Sequence, residues 1–179
     1  MQTLQQILTG LTALVLSLSA QVGNLGQSIN PASQLAQVSG GTVLVDAVGP
    51  SSAGTACFNC STLSWNHTVS GSNTLLTVGV AVGKITTNIS GYTISATYAG
   101  VPMTSAGRIV TSTLQTGIVQ LFYLKAPTNG TNIVQVTLTG GTADIEAGSV
   151  SFIGVDQTAP VRNITLNNLR RTLCLSFYF

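Results

Sequence analysis

The chain has 179 residues, of which six are Lys or Arg and four are Asp or Glu, a charged fraction of 6% and a net charge of +2; ordinary soluble domains carry about 25% charged residues. So few cations cannot neutralise a run of phosphates or hold an anionic bilayer, and no apolar run approaches the roughly 20 residues of a membrane-spanning helix, so neither a nucleic-acid partner nor a membrane span is expected. One His, three Cys and four carboxylates leave little catalytic chemistry, and the expectation is a structural or binding protein rather than an enzyme, with no cofactor and no metal.

The first 45 residues hold no charged side chain. Within them Leu4, Leu8, Leu11, Val15, Leu18, Val22, Leu25 and Ile29 recur in alternating steps of four and three, an unbroken heptad with Leu8, Val15, Val22 and Ile29 at a and Leu at every d. As a helix this seam would be about 38 Å long. Gly10, Gly23 and Gly26 each cost about 1 kcal/mol relative to Ala, so such a helix needs association to persist. β-Branched a positions with Leu at d suit a dimer, but Ile7 and Leu14 at g widen the stripe, and a homotrimer is the expected state. A secretory signal is the rival reading, with Leu11–Ala20 as its apolar region and Ser17-Leu18-Ser19 near the cut. The missing basic flank and the continuation of the heptad to Ile29 favour a retained stalk.

The expected organisation is a coiled-coil stalk over 1–35, a linker over 36–41, a β-rich head over 42–160 and a C-terminal strand or tail over 161–179. The head is rich in hydroxyls, since the chain holds 25 Thr and 18 Ser beside 19 Gly, a composition of strands and tight turns. Strands are predicted over 42–48, 62–69, 74–82, 92–98, 118–125, 132–139 and 147–155, punctuated by Gly49-Pro50, Ser70-Gly71-Ser72-Asn73, Ala99-Gly100, Pro127-Thr128-Asn129-Gly130 and Gly140-Gly141. In 132–139 the alternation turns Val134, Val136 and Leu138 inward and leaves Ile133 out of phase. Such spacing predicts an all-β antiparallel β-sandwich, jelly-roll-like or immunoglobulin-like in strand order.

Some of these strings resemble a recurrent β-sandwich module of secreted bacterial and bacteriophage proteins: Leu63-Ser64-Trp65-Asn66-His67-Thr68-Val69, Ala96-Thr97-Tyr98-Ala99-Gly100-Val101-Pro102-Met103-Thr104, Gln120-Leu121-Phe122-Tyr123-Leu124 and Ser151-Phe152-Ile153-Gly154-Val155. The resemblance spans about 42–160 and implies an extracellular or virion-surface module without catalytic residues. A heptad stalk leading into a β-rich head also resembles phage fibre and capsid decoration proteins. That likeness implies other virion proteins as partners, and a host-surface glycan or receptor at the head.

Beyond position 160, Leu173, Leu175, Phe177 and Phe179 alternate with polar residues and read as a last strand, completing the sandwich or pairing with a neighbouring subunit. Cys57-Phe58-Asn59-Cys60 is a lone CxxC placed in a loop, a candidate disulfide or a pair of free thiols, with no second pair to complete a zinc site. Trp65 reads as core, and His67 as a packed or surface histidine. Asp144 and Glu146 share one strand face, where a solvated pair outweighs a calcium site. A sugar-binding head would use exposed aromatics such as Tyr92, Tyr98 or Tyr123. Five Asn-x-Ser/Thr sites, at Asn59, Asn66, Asn88, Asn129 and Asn163, compare with roughly 2.6 expected by chance and mark no compartment.

Overall fold

A computed structural model describes residues 42–51, 54–111 and 114–161, and the backbone of 163–169 and 172–178. The heptad positions Leu4, Leu8, Leu11, Val15, Leu18, Val22, Leu25 and Ile29, the linker 36–41 and the pair Arg170-Arg171 lie outside the described residues. Strands follow in chain order: β1 (Leu44–Gly49), β2 (Thr55–Cys60), β3 (Thr62–Val69), β4 (Leu75–Gly83), β5 (Thr93–Tyr98), β6 (Val101–Pro102), β7 (Thr104–Val110), β8 (Gly117–Lys125), β9 (Gly130–Thr139), β10 (Ala143–Ile153), β11 (Asn163–Leu169) and β12 (Thr172–Tyr178).

They form two antiparallel sheets around one core. The larger has the order β1-β10-β4-β8-β7, with β2 also on β10, and the smaller the order β3-β9-β5-β6. Alternation explains the layering. Leu76, Val78, Val80 and Val82 of β4, with Ile118 and Phe122 of β8, meet Leu63, Trp65, Val69, Val134, Val136 and Leu138 of the facing sheet. Ile133 is exposed, as its phase predicts. Sequential pairing is tightest at β5–β6, where Ala99 and Gly100 both take positive φ, 51° and 78°, the two-residue connection whose twist matches the flanking strands.

Three sequence expectations are corrected. Residues 55–60 form β2 rather than a loop, because Cys57 and Cys60 pair with β10 at Ile145 and Ala143 and pack against the core. Residues 104–110, given no element by the sequence, form the edge strand β7. It lacks clean alternation because a register shift between Ser105 and Gly107 breaks its phase. The tail is two strands, not one: β11 and β12 pair with each other over seven positions as a separate two-stranded sheet, so the tail does not complete either sheet of the sandwich. Asn163 to Asn167 and Thr172 to Tyr178 alternate polar and apolar residues, and only two positions separate the strands, which suits a hairpin.

Candidate functional site

Polar side chains in the core mark the place to look, since burial of an unpaired polar group is costly. His67 is 2% exposed, Ser149 2% and Ser151 0%. Strand phase puts them there. His67 takes the inward phase of β3 between Trp65 and Val69, and Ser149 and Ser151 take the inward phase of β10 after Ala143, Ile145 and Ala147. The fourth member, Asp46, comes from β1. The ladder between β1 and β10 shifts register between Val45 and Ala47, so Asp46 is the extra residue of a bulge, a device that re-aims a side chain.

The four groups form a chain of hydrogen bonds. The Ser151 hydroxyl donates to Asp46 Oδ2 at 2.7 Å, and His67 Nε2 lies 3.0 Å from Ser151 Oγ. On its other side His67 Nδ1 lies 2.9 Å from Ser149 Oγ. Trp65 Nε1 donates to Ser149 Oγ at 2.9 Å, and Ser149 Oγ is also 3.1 Å from the Gly49 carbonyl oxygen. Asp46 is further held by the Ser70 amide at 3.0 Å and by the Ser70 hydroxyl. Ser151 has one hydroxyl proton and gives it to Asp46, so neutral His67 carries its proton on Nε2 and accepts from Ser149 at Nδ1.

Burial pushes the His67 imidazole below its ordinary 6.5, and the Asp46 carboxylate offsets part of that. Burial also opposes ionisation of Asp46, but the Ser70 and Ser151 hydrogen bonds, with His67 nearby, outweigh it and hold the carboxyl below 3.8. Tyr98 closes the site from β5. Its ring meets His67 edge-on at 6.5 Å between centroids, and its hydroxyl donates to the Gly130 carbonyl at 2.9 Å.

The constellation contains Ser, His and Asp but not the order that hydrolysis requires. In a nucleophilic triad the acid orients one imidazole nitrogen and the attacking Ser sits on the other. Here a Ser stands between Asp46 and His67, and the remaining Ser149 is buried and engaged with Trp65. The arrangement can hold β1, β3 and β10 together and can take up a proton. Sequence reasoning treated His67 and Trp65 singly and missed the network. The legible signal was a pair of serines in the inward phase of an otherwise apolar strand.

A second feature lies on the surface. Cys57 and Cys60 are joined by a disulfide, and Asn59 between them takes φ 50°, its amide donating to Asp144 Oδ1 at 2.9 Å. This frame presents Phe58, 85% exposed. Beside it an open cavity of about 340 Å³ is lined by Phe58, Ala81, Gly83, Asp144 and Glu146. Asp144 and Glu146 do share one exposed face of β10. Among the described residues no group of three or more His, Cys, Asp or Glu is placed to hold a metal ion, and no helix is long and apolar enough to cross a membrane. Tyr98, expected among the exposed aromatics, is instead fully buried, because β5 turns it into the core.

No family model matches the chain. No curated protein matches it either. A solved structure that matches is dimeric latent PorU from Porphyromonas gingivalis, 14% identical, covering 62% of this chain and 12% of that one, with a TM-score of 0.35. A likeness of that size assigns neither a fold family nor a function.

Proposed function

We propose that the chain is a structural, non-enzymatic protein of a virion surface, a capsid decoration or short fibre protein. On this reading the heptad of Leu4 to Ile29 assembles a homotrimer, and a sandwich of jelly-roll-like or immunoglobulin-like order forms each head. The observation that carries it is the polarity of the head. The described chain enters at Leu44, which pairs with Ile153 at the last position of β10. Phe58, Ile85 and Leu114, 85%, 85% and 69% exposed, gather at the opposite end. Asn59 is bonded to Asp144, Gly83 pairs with Asp144 and Gly117, and the Lys84 amide bonds the Thr116 carbonyl. The 11 residues of β10 separate the two ends by about 34 Å. A head that exposes Leu44, Val45 and Val48 on its entry strand and presents Phe58, Ile85 and Leu114 at the other end suits a module mounted by its base that touches other virion proteins or a host surface with its tip.

Light scattering on the full chain tests it. A molar mass three times 18.3 kDa that falls to one times in Leu11→Asp supports the stalk as the assembly device. A mass unchanged by Leu11→Asp, or monomeric from the start, overturns it.

A second reading, a secreted bacterial adhesive or carbohydrate-binding module, is favoured by one feature. Phe58 offers a rigid aromatic face beside two carboxylates that accept from hydroxyls. It requires glycan binding that Phe58→Ala abolishes.

A further inference from the structure

Both ends of the His67 network terminate on the same strand. Through Ser151 it reaches the Asp46 carboxylate, and on the other side Ser149 Oγ stands 3.1 Å from the Gly49 carbonyl oxygen, and both belong to β1. We propose that His67, Ser149, Ser151 and Asp46 form a proton-operated clasp on β1, the strand by which the chain enters the head.

The clasp works by counting protons. With His67 neutral, the Ser149 hydroxyl donates to Nδ1. When Nδ1 takes a proton from solvent it becomes a donor, and Ser149 must accept from it. The hydroxyl proton of Ser149 then turns to its other neighbour, the Gly49 carbonyl 3.1 Å away. Every donor keeps an acceptor, so the exchange needs no displaced side chain. It does leave a positive charge in the core. Among the described groups that face His67, Asp46 on β1 is the charged one. Ser149 and Ser151 on β10, Tyr98 on β5 and Asn132, its register partner on β9, are neutral, and Asp46 is separated from the ring by the Ser151 hydroxyl.

A buried charge is relieved most cheaply by admitting water, and β1 is the strand that can yield. Among the described residues it pairs on one side only, with β10, through five registered positions interrupted by the bulge. β3 makes eight uninterrupted pairs with β9, and β10 is flanked on both sides. Leu44, Val45 and Val48 are already exposed, so lifting β1 costs little apolar burial, and such low-energy local opening is ordinary for edge elements. Because the folded imidazole titrates below 6.5, the unfolded or opened form binds more protons. The hold on β1 is therefore strongest above pH 6.5, where the core carries no charge, and weakens as the pH falls through the folded value, the buried charge outweighing the Ser149 bond that the Gly49 carbonyl gains.

Amide hydrogen exchange on the full chain at pH 7.5 and 5.0, corrected for intrinsic rates, tests this. Exchange at Asp46, Ala47 and Val48 is expected to rise severalfold at the lower pH relative to Val78 and Val80 of β4, because opening frees the imidazole to bind a proton. His67→Gln keeps a donor and an acceptor but cannot take up a proton, and should make the β1 rates independent of pH. Asp46→Asn should move the His67 ring titration to lower pH, because it removes the carboxylate that favours the charged form. Equal acceleration of β1 and β4, acid opening that survives in His67→Gln, or a ring titration unmoved by Asp46→Asn each overturn the clasp.

Discussion

Gly49 is where backbone and network come closest. A Cβ built there would lie 2.6 Å from His67 Nδ1 and 3.1 Å from Ser149 Oγ, well inside contact distance for both. Neither atom is the loose end of a flexible side chain, since each is fixed by bonds on its far side. Gly49→Ala should therefore destabilise the head by about 2 kcal/mol, the usual cost of overpacking a filled core. Gly83 supplies the control. It also lies in a strand, but nothing stands within 4 Å of its Cβ position. Gly83→Ala should be neutral or stabilising by up to about 1 kcal/mol through the unfolded chain. Denaturant midpoints of the two variants settle the contrast, and equal losses would show that Gly49 is not constrained by the ring beside it.

Among the elements, β2 owes its place to a staple. It pairs with β10 at four registered positions broken by an irregularity, and its two cysteines close a loop with a sequence separation of 3. Closing so short a loop stabilises by about 2 kcal/mol in the chain-entropy account. The joint Cys57→Ser and Cys60→Ser variant should accordingly lose about that much, with new proteolysis confined to 55–60. A cut elsewhere first, or no loss, would mean that β10 alone holds the strand. This element also shows where the sequence is readable. β3, β4 and β9 were legible because buried positions alternate from Leu63 to Val69, from Val78 to Val82 and from Val134 to Leu138, and turn residues bound them. β2 and β7 were not, because cysteines and small residues at edges carry little periodicity and bulges shift what there is. The His67 network was hidden for another reason. It joins Asp46 to Ser151 across 105 positions, and a single sequence carries no signal for which polar residues meet at such a distance. The inward phase of His67, Ser149 and Ser151 could be read; their meeting with Asp46 depended on a bulge.

For the molecule as a whole, the two ends of the head make separable claims. The side chains of Phe58, Ile85 and Leu114 already face water, so replacing all three with Ser should leave the melting temperature almost unmoved, surface changes rarely exceeding about 0.5 kcal/mol each. Assembly on the proposed reading resides in the heptad, so the molar mass of the triple variant should also match that of the unaltered chain. What should change is adsorption. Three apolar points at one end of each head, multiplied by the copies in an oligomer, bind an apolar surface far more strongly than one head does, because each further contact is made at high effective concentration. Retention on a phenyl-bearing matrix should thus rank the unaltered oligomer first, Leu18→Asp well below it because its heads are single, and the triple serine variant last while still oligomeric. If Leu18→Asp and the unaltered chain are retained alike, the heads do not act together and the stalk assigns no valency. If the triple variant is retained as well as the unaltered chain, the apolar contact lies elsewhere, and the end of the head remote from Leu44 is not its working face.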